Sequence, residues 1–280
     1  MTDWQEYTSP DGTQQSAVGN IKILTGLESA ELGNKRDILV YLPPTYDASD
    51  RHYPVIYMHD GQNLFDAATS FAGEWAVDQT LESASEHGLE AIVVGIPNAG
   101  RERTSEYSPF EDAKHGGGRG DLYVDFLVRT VKPLIDASFR TRPEPRYTGI
   151  AGSSMGGLIS IYAFFREPTT FGFAGVMSPA LWFADGAVIE YIREAPFAPG
   201  RLYLDVGTNE GEQTLRDVER TRDVLLGKGY RLGWDLLCVI DEGASHNEAA
   251  WRRRLRRQLV FLIGTREELA LSRRGGLSHT

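Results

Sequence analysis

At 280 residues, with 41% apolar and 24% charged positions, the chain can bury one large core and has the make-up of a soluble globular protein. A net charge of −10 argues against nucleic acid or an anionic membrane as a main partner. A single cysteine, Cys238, excludes an intrachain disulfide, and no run approaches the ~18 apolar residues of a membrane span.

Residues 1–16 are polar and stand apart as an N-terminal segment. No basic start followed by an apolar stretch is found there, so no secretory signal is read and a cytoplasmic protein is expected. Short β patterns cover 17–28 and 34–42, the second closed by Pro43-Pro44. YPVIYMHD, at 53–60, is a near-continuous apolar run, the mark of a strand buried on both faces in a parallel sheet. A helix over 73–87 and a second buried strand over 90–97 follow. Residues 98–120 form a loop too long to be a simple connection, and thus a disordered or a functional rim. Helical spacing returns over 121–138, where Pro133 should bend or shorten the helix.

A strand over 147–151 leads to a helix over 155–166 that is apolar almost all round, as in a central, buried position. Then come a strand over 171–177, an insertion over 178–200, a strand over 201–206, a helix over 212–227 and a last strand over 232–240. The final helix carries Trp251, Leu255, Leu259 and Leu262, and 265–280 is a polar tail. Alternation of this kind makes 17–264 one α/β domain with a mostly parallel central sheet and helices on both faces.

Gly152-Ser153-Ser154-Met155-Gly156 fits G-x-S-x-G, with a buried strand running into it and an apolar helix leaving it. In that context Ser154 is a nucleophile presented on a strained turn. Glycines two residues to either side relieve the crowding, and the Met155 N–H at the helix start can face a developing oxyanion. This constellation predicts an α/β-hydrolase fold with a serine nucleophile.

A serine hydroxyl needs a base, and the fold orders its partners serine, acid, histidine. Of six histidines only His246 and His279 follow Ser154, and His279 sits in the tail. His246, between the last strand and the last helix, is the candidate base. For the acid, Glu210 in the loop GTNEG is favoured, with Asp205 and Asp241 left open. A second oxyanion donor is expected from the loop after the first buried strand, where Gly61 allows a sharp turn that aims the amide of Gln62, or of Gly61 itself. His59 and Asp60 shape that loop, since no ligand cluster completes a metal site.

Trp182 and Phe183 can wall a substrate pocket or pack internally, and Trp182 is taken as the substrate-binding candidate. Arg101-Glu102-Arg103 with Glu106 and Tyr107 read as salt bridges pinning the long loop, ahead of a site for a charged substrate. Gly116-Gly117-Gly118 is no phosphate cradle, because no P-loop lysine follows. Arg252, Arg253, Arg254, Arg256 and Arg257 read as the solvated face of the last helix.

The blocks YMHDGQNLFD, VGIPNAGRERTSEYSP, IAGSSMGGLIS, MSPALWF, YLDVGTNEG and GASHNEAAW together resemble the putative esterase family, the esterase D or enterochelin-esterase-like α/β-hydrolases. The resemblance runs from about residue 38 to 263. It implies a cofactor-free carboxylic ester hydrolase acting on a small-molecule ester, with Ser154, His246 and an acid in GTNE. Relatives often carry Asp where Glu210 stands, which keeps the acid assignment open. Acyl transfer to a sugar or alcohol by the same residues, and a non-catalytic binding module, are the rival readings. The oligomeric state is not fixed by the sequence.

Overall fold

A computed structural model describes residues 3–10 and 16–264. The tail at 265–280, with His279, lies outside the described residues. Along the chain come β1 (Gln5–Glu6), β2 (Asn20–Ser29), β3 (Asn34–Leu42), β4 (Val55–His59), α1 (Val77–Ser85) and β5 (Ile92–Ile96). The long loop holds α2 (Arg103–Glu106) and a small hairpin of β6 (Glu111–Asp112) and β7 (Gly116–Gly117). Then follow α3 (Gly120–Asp125), α4 (Lys132–Ser138), β8 (Thr148–Ser153), α5 (Met155–Arg166) and β9 (Phe173–Met177). The chain continues through α6 (Ala187–Glu194), β10 (Arg201–Gly207), α7 (Glu212–Gly227), β11 (Leu236–Asp241) and α8 (Glu248–Ile263).

A nine-stranded sheet runs in the order β1-β2-β3-β5-β4-β8-β9-β10-β11. The first three strands and the β3–β5 pair are antiparallel, and every later pairing is parallel. Parallel strands need crossovers, and the helices that supply them cover both faces. Successive residues of β4 accordingly enter opposite cores. Val55 and Tyr57 pack with α5 residues such as Leu158 and Ile161, while Ile56 and Met58 pack with Leu81 of α1 and Leu255 of α8. Burial on both sides is why β4 and β5 read as unbroken apolar runs. Helix α5 is buried from Met155 to Phe165, which accounts for its lack of a polar face.

Pro133 does not shorten the helical run, which continues from Gly120 to Ser138, but the turn before it is widened. Phe126–Val131, between α3 and α4, is a π-helical turn, and the Lys132 N–H reaches back five residues to the Leu127 carbonyl. Proline has no N–H for the carbonyl four residues back and its ring crowds that group, so the preceding turn widens.

Two expectations change. The polar segment 1–16 is not wholly separate from the domain: β1 pairs with β2, the Trp4 ring meets Phe139 edge-on at 5.0 Å, and the Tyr7 hydroxyl donates to Asp66 at 2.9 Å. Arg254 does not share the solvated face of α8. Its side chain is 5% exposed and lies 3.1 Å from Asp205, also buried. The 98–120 loop is an ordered rim, pinned by a buried Arg36–Glu106 pair at 2.8 Å and by Arg103 on Asp60 at 2.7 Å.

Candidate active site

Where β8 meets α5, Ser154 takes φ 56 and ψ −122, a backbone conformation that a residue with a Cβ rarely adopts. The turn is held from beneath. Ser154 N–H donates to the Met177 carbonyl, and the Ser154 carbonyl accepts from Leu158 and Ala180, all at 3.0 Å. Packing is close at both flanking glycines and excludes a side chain at Gly152. A Cβ on Gly152 would lie 2.9 Å from the Gly156 carbonyl and from His59 Cδ2, and one on Gly156 would lie 3.2 Å from His59 Cβ. Ser154 is half-buried within an otherwise buried stretch. Met155 opens α5, so the helix itself leaves its N–H without an acceptor.

His59 forms the base of this turn. Its Nδ1 is 2.8 Å from the Tyr123 hydroxyl, and the ring lies among Tyr107 and Tyr123. Complete burial pushes the imidazole down to about 3, so it stays neutral.

The next loop corrects the role given to Gly61. The left-handed residue is Asp60, at φ 54, and not the glycine. A Cβ on Gly61 would fall 2.6 Å from Gly95 C and Ile96 N and 2.7 Å from Pro97 N. Glycine is there so that the turn can lie flat on the end of β5. Asp60 is locked by Arg103 through Nε–Oδ1 at 2.7 Å and Nη2–Oδ2 at 2.8 Å, and by the Asn98 amide at 2.6 Å. Burial alone would raise this carboxyl, but the Arg103 and Asn98 bonds hold it below the usual range. Arg103 thus serves a salt bridge, as the sequence reading favoured. Gln62 sits on the turn with its carbonyl bound by the Thr69 hydroxyl at 2.7 Å and its Oε1 by the Asn98 N–H at 3.1 Å.

Glu210 and His246 meet across two loops that are stitched together. Asn209 N–H donates to the Ala244 carbonyl, the Asn209 amide to the Gly243 carbonyl, and Gly243 N–H to the Thr208 hydroxyl, at 3.0, 3.0 and 2.8 Å. Glu210 Oε2 then lies 2.8 Å from His246 Nδ1. Burial would raise this carboxyl, yet bonds from His246, Ser178 and the Gly207 amide outweigh it and hold Glu210 below its ordinary value. A carboxylate only accepts, so Nδ1 carries the hydrogen and Nε2 is left as the basic nitrogen. Asp205 is engaged by Arg254 and by the Ser178 N–H at 3.0 Å, and Asp241 lies near Arg253 and Arg254.

One pocket of about 270 Å³ has Ser154, His246 and Gln62 in its lining. Its polar wall includes Asp60, Asn98 and Arg103, and its aromatic wall is Phe71, Trp75 and Trp251. Trp182 is not part of this lining. It is 46% exposed and stacks its edges against His115 and Phe183, at 5.5 and 5.9 Å. The aromatic wall was not assigned from sequence. The signal for it in the chain is the position of Phe71 and Trp75 shortly after the Asp60–Asn63 turn, and of Trp251 five residues after His246. Among the described residues no group of three or more His, Cys, Asp or Glu could hold a metal ion, and no helix is long and apolar enough to cross a membrane.

A family model described as "Putative esterase" matches residues 29–262. The chain belongs to that family. This putative esterase is 28% identical over 254 residues to the uncharacterized protein YbbA of Bacillus subtilis, covering 85% of this chain and 96% of that one. It is 31% identical over 135 residues to a siderophore triacetylfusarinine C esterase of Aspergillus fumigatus, covering 46% and 44% of the two chains. Against an iron(III) salmochelin esterase of Escherichia coli the identity is 26% over 240 residues, covering 79% and 52%. The chain thus spans nearly all of the Bacillus relative but about half the length of these two siderophore esterases. The solved structure of the BES protein from Bacillus cereus superposes with a TM-score of 0.70 at 22% identity, over 89% of this chain and 97% of that one. The enterobactin esterase FES from Shigella flexneri, solved with enterobactin, gives 0.71 at 19% identity, over 91% and 61%. At those identities the likeness to solved structures is one of fold, the α/β-hydrolase fold. The putative esterase is accordingly an enzyme of the ester-hydrolysing class.

Proposed function

We propose that this esterase cleaves a carboxylic ester through an acyl-enzyme on Ser154, with His246 as base and Glu210 as its acid partner. The observation that carries the reading is the 2.8 Å Glu210–His246 bond at a pocket whose lining also includes the strained Ser154. His246 Nε2 takes the Ser154 proton as Oγ attacks the ester carbonyl, forming the tetrahedral oxyanion. The amides of Met155 and Gln62 receive that negative charge, aided by the start of α5. His246 then gives its proton to the leaving alcohol as the C–O bond breaks. Water enters, loses a proton to His246 and attacks the acyl-enzyme, and collapse returns the acid and free Ser154.

The substrate is a small-molecule ester with a compact acyl group. Support comes from the pocket of about 270 Å³, whose aromatic wall includes Phe71, 95% exposed at the rim and able to take an apolar part of the substrate. The siderophore esterases among its relatives lend support to iron-chelator esters as a candidate class. The test is turnover of p-nitrophenyl acetate and of a siderophore trilactone by wild type and Ser154→Ala. The variant should lose about 10⁴-fold or more in kcat and fail to react with a fluorophosphonate. Equal rates in the two proteins would remove the proposal.

A further inference from the structure

The acid loop rests on a polar centre that the proposed reaction does not use. Ser178 follows β9 in the segment MSPALWF and is fully buried, with φ +42. Its Oγ has three partners. It donates to Glu210 Oε1 at 2.6 Å and accepts from Trp251 Nε1 at 3.0 Å and Arg254 Nη2 at 2.9 Å. The Gly207 N–H also donates to Glu210 Oε1, at 2.7 Å. The two carboxylate oxygens are therefore divided: Oε1 is anchored by the protein interior and Oε2 is presented to His246 Nδ1.

The anchor is itself fixed. Ser178 N–H donates to the Asp205 carbonyl and to Asp205 Oδ1, each at 3.0 Å, and Asp205 stands 3.1 Å from Arg254 Nε. Trp251 reaches both halves of the site, because its indole also meets the His246 ring edge-on at 5.0 Å and 87°. A left-handed backbone at this position would be free of strain with glycine. That a serine occupies it points to a need for the hydroxyl.

We propose that Ser178 is a positioning residue for ester hydrolysis, its hydroxyl, oriented by Trp251 and Arg254, fixing one oxygen of Glu210 so that the other stays on His246. The proposal rests on Glu210 being the acid of the triad. Without the hydroxyl, Arg254 Nη2 loses its acceptor and lies 3.8 Å from Glu210 Oε1, close enough to draw the carboxylate away from the imidazole. The imidazolium formed during attack then loses part of its counter-charge.

The experiment uses the full chain with Ser178→Ala, Ser178→Gly, Glu210→Ala and the Ser178→Ala/Glu210→Ala double variant. Each is assayed on p-nitrophenyl acetate across pH, per site counted by fluorophosphonate labelling. A charge-assisted hydrogen bond corresponds to about 10–100-fold in rate, so both Ser178 variants should lose that much kcat with KM little changed. The acidic limb of kcat/KM should move to lower pH, because His246 is less readily protonated. In the Glu210→Ala background the Ser178→Ala change should cost nothing further. Ser178→Gly suits the backbone yet lacks the hydroxyl, so it separates positioning from strain. Rates within twofold of wild type for either Ser178 variant, an unmoved acidic limb, or full additivity with Glu210→Ala would overturn the proposal. A Glu210→Ala enzyme as fast as wild type would instead overturn the triad reading, and Ser178 with it.

Discussion

Gly61→Ala adds one methyl group at a place where the fold has no room. The new carbon would lie 2.6 Å from two backbone atoms of Gly95 and Ile96, where ordinary contact begins at 3.4 Å. Those atoms belong to the end of β5, which is paired with β3 on one side and β4 on the other. The strand is held, so the Asp60–Asn63 turn must lift by roughly 0.8 Å or distort, and the Gln62 amide moves with it. Overpacking of this kind costs about 1–3 kcal/mol. In a domain of this size each kcal/mol corresponds to about 2–4 °C in melting temperature. If the Gln62 amide is an oxyanion donor, full loss corresponds to about 10²–10³ in kcat, and a displaced donor should forfeit at least about tenfold. Steady-state hydrolysis of p-nitrophenyl acetate, normalised to fluorophosphonate-labelled sites, and thermal unfolding give the two numbers. A lowered melting temperature with wild-type kcat would refute Gln62 as a donor, and no change in either would refute the packing argument as well.

Two further predictions concern pH. Asp78, fully buried at the start of α1, accepts the Val18 N–H at 2.7 Å through Oδ2 and forms no ion pair among the described residues, and burial pushes its carboxyl up to about 7. Its folded pKa lies above the unfolded value of 3.8, so the stability it permits is greatest at low pH and is lost as pH rises through 7. Asp78→Asn should therefore gain on wild type in urea unfolding between pH 5 and 8, by at most about 4 kcal/mol, and a pH-independent difference would contradict the assignment. His59 works the other way. Its folded pKa of about 3 lies below the unfolded 6.5, so its contribution is present above pH 6.5 and is lost as pH falls. The penalty of His59→Leu should shrink from pH 7 to pH 4, and a penalty that stays constant would show that the ring is not held neutral.

Much of this architecture is legible in the chain because local patterns and global burial agree. β4 and β5 lack polar alternation since both their faces are covered, and α5 lacks a polar face since it is enclosed. The G-x-S-x-G motif announces its turn because a strand must reverse into a helix there, and only glycine tolerates the 2.9 Å approach at position 152. Pro133 marks a disturbance of its helix through its missing N–H, but that the helix absorbs it as a π turn and keeps its length is seen only in the structure. These are local constraints of backbone sterics and periodicity, and they are written residue by residue.

What the sequence left open concerns pairings between distant segments. Arg254 shares its composition with the exposed arginines around it, and only the approach of β10 and the 178 turn to α8 makes it a buried partner of Asp205 and Ser178. Trp182 and Trp251 are equally aromatic in the sequence, yet only Trp251 lies on the pocket, because α8 begins directly after the His246 loop. That Glu210 meets His246 while Asp205 and Asp241 face arginines is the same kind of fact. Side-chain chemistry and the order of elements are set by the sequence alone, whereas the identity of a residue's neighbours depends on how separate elements pack. Burial, through the removal of water and the partners it brings, then decides what each charged or polar group can do.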